Sequence, residues 1–213
     1  MACWSPENAT KAFLKALKMG KNGKEPDVAE FISALAAGNN AQLMVMACAG
    51  AAGANALALV AARHQTGGRV VCILPSQNYI KESKDSLGPY SKCIEFFIGN
   101  PKTLLPDNFK GADFVLIDCD IKDHKGIFLA AQKGISEHVG ALIVGFNALR
   151  KGSWGNDLRA HTHFLPIGEG LLVSRITSPK KSHWVVKVDK CTGEEHVFRV
   201  SNNTSPRRQW IEA

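Results

Sequence analysis

The chain holds no C-x-x-C pair and no Cys-His cluster at zinc-ligand spacing, which argues against a zinc module or a dithiol redox motif. Its six cysteines, at positions 3, 48, 72, 93, 119 and 191, fall mostly in or beside apolar runs. That placement suits reduced, buried thiols and a cytoplasmic or nuclear protein. The opening MACWSPENATKAF has no apolar stretch of leader type, so secretion is not expected. There is no internal repeat and no low-complexity tract. With 45% hydrophobic and 21% charged residues among 213, the composition excludes a disordered or fibrous chain, and one compact core is expected.

Excess acid is missing from both ends. Residues 1–24 hold five Lys and one Glu, and residues 175–213 hold eight basic and four acidic side chains. The remaining 25–174 carry thirteen against fourteen, so the whole formal charge of +7 lives at the termini. A neutral middle with basic ends reads as a ligand-binding or catalytic core whose extensions meet RNA or an acidic protein weakly, or merely keep the chain in solution. Residues 41–62 carry no charge and are long enough to span a bilayer. Gly50, Gly53 and Asn55 interrupt them, however, and they divide better into a buried strand followed by a buried helix. No membrane partner is expected.

Along the chain, apolar runs of strand length alternate with helical spacing. Residues 5–19 predict a helix capped by Ser5 or Asn8, and 26–37 another, with Pro26 in its first turn and Gly38 ending it. Strands are predicted at 43–48, 69–74, 93–98, 113–118, 140–146 and 170–176, with helices at 53–64, 77–86 and 124–138. Such alternation implies βαβ units and an α/β fold whose parallel sheet is buried on both faces. HWVVKVD and HVFRV, at 183–189 and 196–200, flank CTGEE and predict a C-terminal β-hairpin. The domain organisation is therefore a 1–177 core with an N-terminal helical segment, and a basic 178–213 extension on or beside it.

Ligands of open parallel sheets bind beyond the carboxyl ends of the strands. After the first predicted strand, Cys48 to Gly53 supplies small residues ahead of a helix, which permits backbone approach to a ligand but equally serves close packing. The fourth strand ends in Asp118-Cys119-Asp120-Ile121-Lys122-Asp123-His124. Capping the next helix needs one carboxylate, Asp120 or Asp123. Asp118, at the strand's very end, is the one least explained by capping. His124 beside Asp120 is a weaker candidate base, and His161 with His163 a metal pair lacking a third ligand. Trp184 and Trp210 near Lys180, Lys181, Arg207 and Arg208 have the composition of a single-stranded nucleic-acid platform, without any recognised RNA motif.

ADFVLIDCDIKDH followed by a helix, then GALIVGFNAL and HFLPIGEGLLVSRI, resembles the second half of class I S-adenosylmethionine-dependent methyltransferases. The chain is most similar to the small O-methyltransferases of the caffeoyl-coenzyme A type. In those proteins a D-A-D-K-D-N motif ends the fourth strand, an Asn-containing loop follows the fifth, and L-P-x-G-D-G leads into the last. The resemblance runs over residues 25–177, and the opening and the C-terminal hairpin further resemble a plant family described as methyltransferase-like. It implies a Rossmann-like, doubly wound, mostly parallel sheet of the seven-stranded type with an antiparallel last strand. It also implies S-adenosylmethionine as cofactor. Ala47, Cys48, Ala49, Gly50 and Gly53 would then cradle the methionine end, Leu74, Pro75 and Ser76 would take the ribose, and Asn100 and Pro101 would flank the adenine. Asp118 would orient the cofactor's amine or the acceptor hydroxyl, with Asp120 and Asn147 completing the catalytic set.

Three positions depart from that family. Met44, Val45, Met46 and Ala47 stand where an acidic residue and a glycine are usual. The acid that grips the ribose diol is replaced by Leu74-Pro75, and losing a charged hydrogen bond costs about 1.5–3 kcal/mol; an acid at 74 is expected to restore the grip. The family's divalent cation is held by the first Asp of the fourth-strand motif and by an Asp-Asn pair after the fifth. Asp118 and Asn147 match, but Phe146 replaces the second Asp, so no tightly bound metal is expected. Two functions follow. One is a methyltransferase-like protein degenerate in cofactor and metal binding. The other is a non-catalytic binding or scaffold protein on the same frame, taking a nucleotide-like ligand or contacting RNA or an acidic partner through its basic ends. Oligomeric state is not legible.

Overall fold

The computed structural model describes residues 4–20, 27–135, 140–149, 162–176, 182–188 and 195–201. The chain divides into two units, residues 1–177 and 178–213. The first opens with α1 (Pro6–Met19), capped by Ser5, whose Oγ accepts from Asn8 N at 3.2 Å. It continues with α2 (Val28–Gly38), whose cap is Asp27; the expected Pro26 lies outside the described residues. Glu30 Oε2 accepts from Asp27 N at 2.8 Å in a reciprocal capping box. Gly38 lies in van der Waals overlap range of the Trp4 ring, which would meet any added Cβ, so close packing as well as helix termination requires the glycine there.

A seven-stranded sheet follows: β1 (Leu43–Ala47), β2 (Arg69–Leu74), β3 (Glu95–Ile98), β4 (Phe114–Asp118), β5 (Leu142–Phe146), β6 (Thr162–Leu165) and β7 (Leu171–Arg175). Its order is β3-β2-β1-β4-β5-β7-β6. The pairs from β3 to β5 are parallel, and β7 is antiparallel to both β5 and β6. This is the expected Rossmann-like α/β sheet. The connecting helices are α3 (Ala54–Thr66), α4 (Asn78–Leu87), α5 (Pro101–Asp107) and α6 (His124–Gly134).

Period-two alternation along each strand divides the apolar residues between two cores. Met44, Met46, Cys72, Leu74, Phe114 and Leu116 face one core, with α2 and α3. Val45, Ala47, Val71, Ile73, Val115 and Ile117 face the other, with Leu105, Ile127 and Phe128. Chain order runs outward from β1 to β3, then returns to β4 on β1's other side. The switch point is therefore the β1–β4 boundary, where a crevice opens at the strands' carboxyl ends.

Residues 41–62 resolve into β1 and most of α3, and among the described residues no helix is long and apolar enough to cross a membrane. Three elements differ from expectation. β3 begins at Glu95 because a 3₁₀ turn, Gly88–Cys93, takes up the residues before it. α5 was hidden by its seven-residue length and internal Pro106, although Asn100 caps it and Pro101 occupies its first turn. β6 pairs with β7 where only an alternating His-Thr-His was legible, and Thr162 Oγ1 donates to Ser174 Oγ at 3.1 Å. The second unit holds β8 (Ser182–Val188) and β9 (Glu195–Ser201), an antiparallel pair with Ser182 opposite Ser201 and Val188 opposite Glu195, as the hairpin reading expects.

Candidate functional site

β4 and β5 run side by side with Asp118 opposite Phe146, so the loops after them meet. The Asn147 amide Nδ2 donates to Asp118 Oδ1 at 3.3 Å and to Asp120 Oδ2 at 3.0 Å. Asp120 N donates to Asp118 Oδ1 at 3.0 Å, an Asx-type turn, and Ala49 N donates to Asp118 Oδ2 at 3.4 Å. Asn147 adopts φ 58°, a left-handed conformation that Asn tolerates better than most residues. The three residues proposed as catalytic from sequence thus form one hydrogen-bonded cluster, tied to the loop after β1.

Burial raises the Asp118 pKa above its ordinary 3.8, and the neighbouring Asp120 charge acts in the same direction. The backbone N–H groups of Asp120 and Ala49 and the Asn147 amide oppose that rise. Beneath them, burial and then the two carboxylates push the Cys119 thiol up to about 12, leaving it protonated at neutral pH. Asp123 stands apart. It caps α6, accepting from Gly126 N at 3.2 Å, and pairs with Lys102 Nζ at 2.9 Å, an ion pair that lowers its pKa. The capping requirement is met there, so neither Asp118 nor Asp120 is the α6 cap.

Beside the cluster, a cleft of about 540 Å³ opens across the carboxyl ends of β1, β2, β3 and β4. Cys48, Ala49, Pro75, Asn100, Pro101 and Asp120 line it, as carried over from the sequence, together with Gly99, Ile121 and Lys122. Those last three were missed. Gly99 has φ 151° in the turn after β3, and Lys122 sat in a loop where the carboxylates drew attention. Gly50 and Gly53 lie on the same loop as Ala49. An added Cβ at Gly53 would meet nothing within 4 Å, and at Gly50 only Tyr79 at 3.6 Å. Packing therefore does not require either glycine, and no side chain caps the α3 terminus that follows.

Other carried-over residues fall elsewhere. Leu74 is fully buried in the first core, and its carbonyl accepts from Gly99 N at 3.2 Å. Its side chain cannot face a ribose, and an acid at 74 would place a charge in the core rather than restore a grip. The exposed neighbour Pro75 is the residue at the cleft. Ala47 is buried in the second core, so only its backbone is offered. Ser76 is half-buried and does not line the cleft; its carbonyl accepts from Tyr79 N at 3.3 Å in the turn into α4. Asn100 spends its Oδ1 on Lys102 N at 3.0 Å as the α5 cap. Cys48 hydrogen-bonds the Cys72 thiol, which with burial raises the latter's pKa well above the ordinary range. His124 is buried with Nδ1 at 3.0 Å from the Ile121 carbonyl, a core-facing helix residue and not an exposed base. His163 is exposed on β6, while His161 and Trp210 lie outside the described residues.

The metal of the resembling O-methyltransferases does not fit this chain. Phe146 is buried in the first core, and the Asn147 nitrogen, facing two carboxylates, presents a donor where a cation needs an oxygen. Among the described residues no group of three His, Cys, Asp or Glu is placed to hold a metal ion.

Residues 1–200 match the family model described as "Protein of unknown function (DUF1442)". The chain belongs to that family. No curated protein matches it. Its fold is shared with solved methyltransferases at low identity. A methyltransferase from Geobacter sulfurreducens is 19% identical with a TM-score of 0.56, over 78% of this chain and 88% of that one. A putative caffeoyl-CoA O-methyltransferase from Staphylococcus aureus is 18% identical at 0.54, over 70% and 82%. An O-methyltransferase from Bacillus cereus, solved in complex with SAH, is 14% identical at 0.53, over 81% and 92%. This DUF1442 chain therefore has the class I methyltransferase fold.

Proposed function

We propose that this protein binds S-adenosylmethionine in the switch-point cleft and acts as a methyltransferase-like protein without a divalent metal. The observation that carries the reading is the Asp118–Asp120–Asn147 cluster, reaching the cleft through Asp120. Two carboxylates sharing one neutral amide keep net negative charge at the carboxyl ends of β4 and β5, and so favour a cationic ligand. The open Gly50 and Gly53 positions leave the backbone accessible to it.

Bound there, the cofactor supplies an electrophilic methyl group. Ala49 and the backbone of Gly50 would hold its amino-acid end, Pro75 and Gly99 would border the ribose, and Asn100 and Pro101 the base. Asp118 is fixed by three donors and orients; Asp120, at the cleft wall, holds an amine or accepts the proton of an acceptor hydroxyl. Alignment of the reacting groups supplies the rate. The family match over residues 1–200 takes in the opening helix and much of the hairpin, so both are part of what the family shares with the methyltransferase-like core.

A second reading, a binding protein that keeps the frame without methyl transfer and meets RNA or an acidic partner through its basic ends, is favoured by Pro75 standing where a ribose acid is missing. Calorimetry with S-adenosylmethionine and S-adenosylhomocysteine decides first. Binding of both, weakened about tenfold or more in Asp120→Asn, is expected from loss of a charged hydrogen bond. No binding, or equal binding by the variant, refutes the site. Binding without methylation of any hydroxylated acceptor selects the second reading.

A further inference from the structure

One face of α1 is left outside both cores. Ala9, Ala12 and Ala16 are buried, whereas Lys11, Leu14, Lys15 and Lys18 follow the i, i+3, i+4, i+7 spacing of a single helix side. Leu14 is 50% exposed. These residues line a groove of about 480 Å³ with Met19, Tyr90 and Gln65. Gln65 ends α3 on its way to β2, and Tyr90 precedes β3, so the groove lies at the amino ends of the strands. The cofactor cleft opens at the opposite end.

The groove is positive. Glu7 pairs with Lys11 at 2.6 Å, and among the described residues no carboxylate forms an ion pair with Lys15 or Lys18. The adjoining His64 ring is held below its ordinary pKa by burial first and then by Lys15 and Arg63. Its lining is also partly apolar. Met19 and Tyr90 pack against the first core and leave part of their surface to the groove, beside Leu14.

Charge restricts the occupant. Residues 178–213 carry seven Lys and Arg against four Asp and Glu, and residues 21–26 two Lys against one Glu. A second copy would bring a net +7. The chain's own segments and its own copies are thus like-charged with the groove. Single-stranded RNA would want aromatic faces on which bases stack, and among the described residues Tyr90 is the only aromatic one lining the groove, half-buried against the core. A helix with acidic residues four apart and apolar residues between them meets both features at once, in the helix-in-groove manner.

We infer that this groove docks an acidic amphipathic helix of a partner protein, its carboxylates on Lys15 and Lys18 and an apolar side chain against Leu14, Met19 and Tyr90. The full-length protein is titrated with a fluorescein-labelled synthetic peptide bearing glutamates four residues apart with leucines on the same side, and separately with labelled oligouridylate. The peptide should bind with an affinity that falls as salt rises. Lys15→Glu/Lys18→Glu should weaken it about tenfold or more, with Lys15→Gln/Lys18→Gln and Leu14→Ser as milder variants that weaken it less. S-adenosylmethionine binding should be unchanged in all three variants, and the His64 ring should titrate at higher pH in the peptide complex. Absence of peptide binding, undiminished binding by the lysine and Leu14 variants, or tighter oligouridylate binding lost in the same variants overturns the inference.

Discussion

An acid placed at Pro75 should do what an acid at Leu74 cannot. Pro75 follows the last residue of β2, is exposed, and lines the cleft; as a proline it gives no N–H to the sheet, so no ladder bond is lost on replacement. Pro75→Asp sets a carboxylate at the cleft wall between the β1 and β3 loops, on the side assigned to the ribose. A charged hydrogen bond to a diol is worth about 1.5–3 kcal/mol, so the dissociation constant for S-adenosylmethionine should fall about tenfold to a hundredfold. Releasing the proline constraint costs about 0.4–1 kcal/mol of folding stability, a loss of a few degrees in Tm. Leu74→Asp, in contrast, empties a fully buried core site and leaves a charge in it. The cavity alone costs about 2–5 kcal/mol against a typical total of about 5–15, so the variant should be unfolded or nearly so. Titration calorimetry reads the first effect and thermal unfolding the second. A folded Pro75→Asp protein with no gain in affinity, or a Leu74→Asp protein with ordinary Tm, would refute the reasoning.

Asp118 sets a pH dependence. Because its folded pKa is raised above 3.8, its contribution to stability is present below the unfolded value and lost as pH rises through the folded one; urea unfolding should show this slope in the wild type and a flatter one in Asp118→Asn. Over the same window, affinity for a cationic ligand should weaken as pH falls through the raised value, which calorimetry in buffers of different pH checks. Asn147→Asp removes a donor to two carboxylates and adds a third, so Tm should drop by the equivalent of about 1.5–3 kcal/mol and recover on adding Mg²⁺ or Ca²⁺, with calorimetric cation binding the wild type lacks. Cys119, with its thiol pushed to about 12, and the buried Cys48 and Cys72 should resist thiol reagents at pH 8 until denaturant is added; mass spectrometry after mild labelling of the native protein reads this.

The α/β class, the order of strands and helices and the hairpin were legible because they rest on local pattern: unbroken apolar runs for strands buried on both faces, 3.6-residue spacing for helices, and caps such as Ser5. The Asp118–Asp120 segment was legible too, since carboxylates at the end of an apolar strand have few local explanations. Strand order, and with it the switch point, was not a local property and came only through resemblance. The tertiary structure decided which carboxylate is spent as a cap, Asp123, and which two are gathered by Asn147, a residue 29 positions from Asp118. It also decided that Leu74 faces the core and Pro75 the cleft. At the end of a strand one residue's shift reverses the face, and the sequence reading had placed the restoring acid at 74, the member of the pair that faces the core. The α1 groove has the same origin: the lysine spacing is in the sequence, but Tyr90 and Gln65 come to it from elements separated from α1 by at least a helix and a strand, and only packing brings them to its side.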